Sequence, residues 1–404
     1  MKRTNLPALL PALILAQFLA SCGSSSNNSN SPTVIRGVPV SGSSYSGAVI
    51  AARAIDPNYP RSSVYFYNFS NGLVTELLTT ESQDPAVFVA GKKILLFHRA
   101  AAHPALQILD PTNATPPTSD VAIEALGKGD PWDVVGLATN SADTVLFATS
   151  PAMSSIVKIP LSNPASASAV DAAWSLPQAT KFRPTGLFQS GDRLFLNHQG
   201  VTVNGDVAVA NGSQTLFALN VSDPMNPLAS SLGTSRSIDA TGIQLSSSTT
   251  QRFSNKKHPN PALVGLCNEE LGVSCTAGAD RLNPTTGKIT KNGVLNASLQ
   301  NSDYRYFNQV IDGESESITY IQAHKVSANK KVLMRLDSAS GALTDTHTYN
   351  DDRLYTAFTD ESTGTVFVGD FSDMSGEFVL YKNNSKIGSF ELPSVPYSAA
   401  LVPL

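Results

Sequence analysis

The sequence predicts an all-β fold, and three observations carry that expectation: a strand-and-turn motif written seven times, apolar runs of strand length, and a turn-rich composition. The first copies of the motif are Val64-Tyr-Phe-Tyr-Asn-Phe-Ser-Asn-Gly72, Leu106-Gln-Ile-Leu-Asp-Pro-Thr-Asn113 and Ile156-Val-Lys-Ile-Pro-Leu-Ser-Asn-Pro164. Leu216-Phe-Ala-Leu-Asn-Val-Ser-Asp-Pro224 and Arg281-Leu-Asn-Pro-Thr-Thr-Gly287 follow. Val332-Leu-Met-Arg-Leu-Asp-Ser-Ala-Ser-Gly341 and Phe378-Val-Leu-Tyr-Lys-Asn-Asn-Ser385 complete the series. In each, an apolar strand runs into Asp, Asn, Ser, Pro or Gly, residues that close turns through their own side chains or through a preset backbone.

Upstream of most copies lies a second strand: Lys93–His98, Thr144–Thr149, Arg193–His198, Ser317–Gln322 and Thr365–Asp370. These are near-continuous apolar runs, the pattern of strands covered on both faces. A turn precedes each (Gly91, Asp143, Gly191-Asp192, Gly313, Gly364), and before the turn stands another apolar strand, such as Ala86–Val89 or Tyr355–Phe358. A meander of about four strands repeated in this way is the unit of a β-propeller. The expected fold is therefore a seven-bladed β-propeller of four-stranded blades over residues 46–404. Val395–Val402 resembles an innermost strand with no unit after it, and the unit beginning near Gly47–Ala52 lacks one. The C-terminal strand is thus expected to close blade one and remove both open edges. The fifth unit, around residues 239–298, is irregular. A pair of β-sandwiches is the alternative, but it leaves a motif running through the whole chain unexplained.

Composition narrows the function classes. Only 15% of residues are charged, net charge is −4 and no basic run occurs, so no nucleic-acid partner is expected. The N-terminus opens with Lys2 and Arg3, then an apolar stretch from Leu6 to Leu19 interrupted by Pro7, Pro11 and Gln17. Its length suits a signal-peptide core and is too short for a membrane-spanning helix. Leu19-Ala-Ser-Cys-Gly23 resembles the lipobox of bacterial lipoproteins. That resemblance implies removal of residues 1–21, lipid on Cys22 and anchoring to a membrane of the cell envelope. With Gly23 rather than Asp after the cysteine, it implies the outer membrane. Residues 22–45 are expected to act as a flexible Ser/Asn tether, because the stretch after Cys22 has little apolar surface to bury. Cys267 and Cys275 are expected to form a local disulfide in an oxidising compartment. A metal site is the weaker reading, with only His258 nearby.

Leu216 to Pro227 resembles the repeat of bacterial cell-surface propellers whose strand ends in a D-x-S-D-P-x-x-P turn, with Asn220 at the first position of that turn. Leu109–Asn113 and Ile159–Pro164 match it in part. The resemblance implies fold and surface location, not an activity.

In such a fold the ends of the second strands and the loops entering the innermost strands meet on one face. Aligning the units places Arg53, His98, Thr149, His198, Gln322 and Asp370 at equivalent strand ends. The entering loops carry Asp84, Asp130, Arg183, Asp239, Arg305 and Arg353. This polar face is the expected ligand or partner site. His98 and His198, with Asp84, Asp130 or Asp370, could form an acid–base or metal site, since a carboxylate orients an imidazole. The plainer alternative is that these groups bond loops and water. His103, His258 and His347 stand in turn-like contexts and are expected on the solvated surface, whereas Trp132 and Trp174 are expected between blades. Asp110–Asn113 and Asp223–Asn226 could bind calcium weakly, although turn chemistry explains both.

No hydrolase elbow, zincin, phosphate-loop or haem motif is present, and likeness to lactonase-like or lyase-like propellers is at fold level only. The expected role is a binding or assembly scaffold without catalysis or cofactor, its partners an envelope or extracellular protein or a small ligand. A propeller hydrolase or lyase is the rival, and a quinone-dehydrogenase type of propeller is a third reading.

Overall fold

Among the described residues of Ile35–Leu404, one of the two units into which the chain divides, apolar runs punctuated by Gly, Asn and Asp turns fold into 31 strands. The computed structural model describes residues 34–53, 61–80, 85–98, 105–109, 121–123, 125, 136–149, 156–170, 181–204, 207–210, 215–229, 236–237, 262–265, 278–283, 285, 288–291, 298, 303–305, 310–315, 317–350, 356–372 and 375–404.

The first sheet contains β1 (Ile35–Arg36), β2 (Tyr45–Arg53), β3 (Ser62–Asn68) and β4 (Leu73–Thr80). The second holds β5 (Pro85–Ala90), β6 (Lys93–His98), β7 (Ala105–Leu109) and β8 (Val121–Ala122). The third holds β9 (Gly136–Thr139), β10 (Val145–Thr149), β11 (Ile156–Pro160) and β12 (Ser168–Ala169). In the fourth are β13 (Lys181–Ser190), β14 (Arg193–Asn204), β15 (Val207–Ala210), β16 (Thr215–Asn220), β17 (Leu228–Ala229) and β18 (Arg236–Ser237). The fifth has β19 (Ala262–Gly265), β20 (Gly278–Asn283) and β21 (Lys288–Lys291). The sixth has β22 (Tyr304–Arg305), β23 (Val310–Asp312), β24 (Ile318–Lys325), β25 (Lys330–Asp337) and β26 (Leu343–Thr348). The seventh has β27 (Ala357–Asp360), β28 (Thr365–Ser372), β29 (Ser375–Lys382) and β30 (Ser385–Leu392), and β31 (Val395–Pro403) ends the chain.

The second, third and seventh sheets are four-stranded meanders in chain order, and all described pairings are antiparallel. The repeated sequence motif falls on the third strand of its sheet in every sheet but the fifth, where it lies on β20, the second of three described strands, and its polar end works as an Asx turn. Asn68, Asn220, Asn283 and Asp337 each accept, on Oδ1, the backbone N–H two residues on, at 2.9, 2.9, 3.0 and 2.9 Å. In the next turn, Asp223 accepts from the Asn226 side-chain amide and then from Met225 N, which hold its carboxyl below the usual range.

Period-2 alternation places successive side chains of a strand against different neighbouring sheets. Val49, Ala51 and Val64 meet Val87, Ile94 and Leu96 between the first and second sheets. Leu95 and Phe97 meet Leu137 and Leu146 in the next gap, and Phe147 meets Leu187 and Leu194 in the one after. Tyr320 and Leu333 pack on Val366 and Val368 between the sixth and seventh sheets. The series also joins the last sheet to the first: Tyr67 and Phe69 pack on Phe367, Phe378 and Phe390. Phe69 and Phe367 are stacked there at 5.2 Å.

At this seam β31 pairs with β2 from Tyr45 to Arg53, so the first sheet runs β1-β4-β3-β2-β31. Ser398 of β31 accepts the Val87 N–H of the second sheet at 3.1 Å. One expectation is corrected here. Residues 35–44, read as tether, lie against the first sheet, where Ile35 and Arg36 pair with Val74 and Leu73. Val40 and the half-buried Ile35 and Val38 supply the apolar contact that the Ser/Asn stretch lacks.

Candidate functional site

Antiparallel register brings the far end of each second strand beside the start of its innermost strand. Arg53 lies opposite Val395 and His98 opposite Pro85. Gln322 and Asp370 occupy the corresponding stretches of β24 and β28. Arg183 and His198 lie on β13 and β14, and their side chains fall outside the described set. Asp84, Asp130, Asp239, Arg353, Cys22, Cys267 and Cys275 lie outside the described residues, as do His103, His258, Trp132, Trp174 and the Asp110–Asn113 turn.

The described members differ in environment. The Arg53 guanidinium sits 5.8 Å from the centre of the Tyr397 ring, a cation–π contact within its own sheet. His98 is buried, with Nδ1 3.4 Å from Oγ1 of Thr80, the last residue of β4. Gln322 is buried and donates from Nε2 to the Tyr349 hydroxyl at 2.7 Å. Burial raises the Tyr349 pKa, with the bond from Gln322 acting against it.

Asp370 is the centre of the densest network. It is fully buried and accepts from His347 Nε2 at 2.9 Å, Asn350 Nδ2 at 2.9 Å and Phe371 N at 2.7 Å. The Asn350 backbone N–H adds a bond shared between the two carboxylate oxygens at 3.2 and 3.3 Å. His347 Nδ1 lies 2.8 Å from the Tyr381 hydroxyl, and its ring meets Tyr349 edge-on at 4.9 Å. A carboxylate only accepts, so Nε2 carries the proton toward Asp370. Burial first, then the charges of Asp370 and Glu377, push the Tyr381 hydroxyl up to about 12.

His347 therefore corrects the expectation of a solvated histidine: it is 8% exposed and lies on β26, facing the seventh sheet. The stretch Thr344-Asp-Thr-His-Thr-Tyr349 does carry a strand signal, threonine at every second position. Tyr349, Asn350 and Tyr381 had no signal of their own, because their roles depend on contacts between sheets.

A histidine between a carboxylate and a phenol has the order of a proton relay. Here both ring nitrogens are engaged and the carboxylate is enclosed, so the geometry suits a clamp. It fixes the chain leaving β26 against β28, as the Thr80–His98 contact does between the first and second sheets. Among the described residues no group of three or more His, Cys, Asp or Glu is placed to hold a metal ion. No described helix is long and apolar enough to cross a membrane.

No protein-family model matches the chain, and no curated protein matches it in sequence. Solved structures do match its architecture. A Bacteroides fragilis protein assigned as a 6-phosphogluconolactonase superposes with a TM-score of 0.54 at 11% identity, covering 90% of this chain and 99% of its own. A Synechocystis apocarotenoid oxygenase variant gives 0.52 at 9% identity, covering 92% and 97%. Both are propeller folds. The fold is a β-propeller. TolB from Acinetobacter baumannii matches more loosely, with a TM-score of 0.47 at 9% identity over 89% of this chain and 68% of its own.

Proposed function

We propose that this chain is a lipid-anchored propeller of seven blades whose loop-bearing face serves as a binding or assembly scaffold in the cell envelope. The seven described sheets, the β2–β31 pairing and the packing of the last sheet on the first support the blade count and a closed ring. The anchor rests on the lipobox-like Leu19-Ala-Ser-Cys-Gly23, with lipid on Cys22 and the outer membrane as its site.

The observation that carries the scaffold reading is the enclosed Asp370–His347 network. On the face where propeller chemistry would sit, these polar groups hold loops in place. A face of fixed loops on a rigid frame suits recognition. In this reading Arg53, Asp84, Asp130, Arg183, His198, Asp239 and Arg353 contribute the face, and the partner is an envelope or extracellular protein or a small ligand. Capture of the intact lipoprotein from detergent-solubilised membranes tests it. A stoichiometric partner, lost when loop residues such as Asp84 and Arg353 are changed to Ala, is the expected result.

The likeness to a protein assigned as a 6-phosphogluconolactonase favours one second reading, hydrolysis of a small lactone at the channel mouth. Turnover of a lactone, ester or sugar panel, abolished in His98→Ala or His198→Ala, would establish it and displace the scaffold. The same assay with and without EDTA reports any metal requirement.

A further inference from the structure

The seam between the seventh and first sheets is held by chain from both ends of the domain. On one side β31 lies along β2 in a long register. On the other, Ile35–Ser44 crosses the outer part of the seam. Gly37 N donates to Gly72 O at 2.7 Å and Val40 N to Phe69 O at 2.8 Å. The Tyr67 hydroxyl donates to Val38 O, and Ser44 N reaches Ser362 Oγ of the seventh sheet at 2.9 Å.

The seat is cut for this segment. A Cβ on Gly37 would fall 2.6 Å from the Phe390 ring, one on Gly388 would strike the Val38 side chain, and one on Gly72 would strike the Gly37 carbonyl. Three glycines, two in the first sheet's surroundings and one on β30, make room for one strap.

The grip is nevertheless light. Only Ile35 and Arg36 pair as strand, and Val40 is the single buried apolar side chain of Ile35–Ser44. We propose that Ile35–Ser44 is a releasable outer latch, which opens separately from the β2–β31 clasp and leaves that clasp intact. The latch stands on the seam alone. Its use rests on the lipid-anchor reading: released under tension, ten residues (35 to 44) supply up to about 35 Å of extra lead without opening the propeller.

Hydrogen–deuterium exchange on the full-length protein in detergent tests the latch. The Gly37 and Val40 amides should exchange at least about a hundredfold faster than those of Val49–Ala52, by an opening insensitive to low denaturant. Gly388→Val, which fills the Val38 seat, should speed the strap by a further tenfold or so while β2 and β31 stay within about threefold of wild type. If that variant fails to fold, Val38→Ala trims the same contact from the strap side and should act in the same direction. Strap and clasp exchanging at one rate, or losing protection together in either variant, overturns the proposal. Failure of the anchor reads out elsewhere, as Cys22→Ala protein that stays with the membrane.

Discussion

At the scale of single residues, Asp370 carries the sharpest expectation. Its carboxylate is enclosed and bonded to His347, Asn350 and Phe371, so Asp370→Ala leaves the buried His347 Nε2 and the part-buried Asn350 and Phe371 donors without that acceptor. A loss of roughly 3 kcal/mol or more is expected in urea unfolding. A double-mutant cycle with His347→Ala should show the two losses to be non-additive by about 0.5–3 kcal/mol, as residues of one network are. Alkaline pH probes the same cluster. Folded Tyr381 keeps its proton up to about 12, whereas in the unfolded chain it ionises near 10. Over that interval the unfolded state binds fewer protons, so stability present below pH 10 is lost as pH rises toward 12. A Tyr381→Phe variant should lose less stability across this range than wild type. The Asp370 position could be read from the alignment of second strands. What it touches could not, because His347 comes from the sheet before it.

Between residues and the whole stand the turns and strands. Gly72 has φ +71° and faces the Gly37 carbonyl, so Gly72→Ala incurs both left-handed strain and a collision. The expected cost is at least about 1–2 kcal/mol in chemical unfolding, with the strap loosened first. Asn68→Ala removes one Asx-turn bond and should cost about 1 kcal/mol, leaving the strap's exchange unchanged. Strands were the legible elements. Lys93–His98 coincides with β6, and Thr144–Thr149 and Thr365–Asp370 fall within a residue or two of β10 and β28. Buried on both faces, they show as unbroken apolar runs. β1 was not legible, since two residues flanked by Pro32, Gly37 and Pro39 have no periodicity to read. Its pairing is decided by the seat beneath it. β26 shows in sequence only as alternating threonines, and its polar composition hides that Thr346 and His347 are buried with partners in the seventh sheet.

For the molecule as a whole, the repeat predicted sheet after sheet, and neighbouring sheets do pack in sequence through apolar clusters. The fifth sheet, expected to be irregular, has three strands among the described residues. Removing residues 395–404 should unfold the domain rather than trim it. β2 would lose one of its two partners, and Ala400 and Val402 would leave the cluster they share with Val87 and Val89. Loss of the near-ultraviolet circular dichroism signal would register that collapse. Time gives the same pairing another meaning. β2 emerges well before β31, with six further sheets between them in sequence, so the first sheet stays incomplete until β31 has been made. A chain cut short before β31 by a nonsense codon or stalled ribosome offers proteases an open seam, while one that carries β31 pairs it with β2. Folding itself thus checks that the message was read through β31.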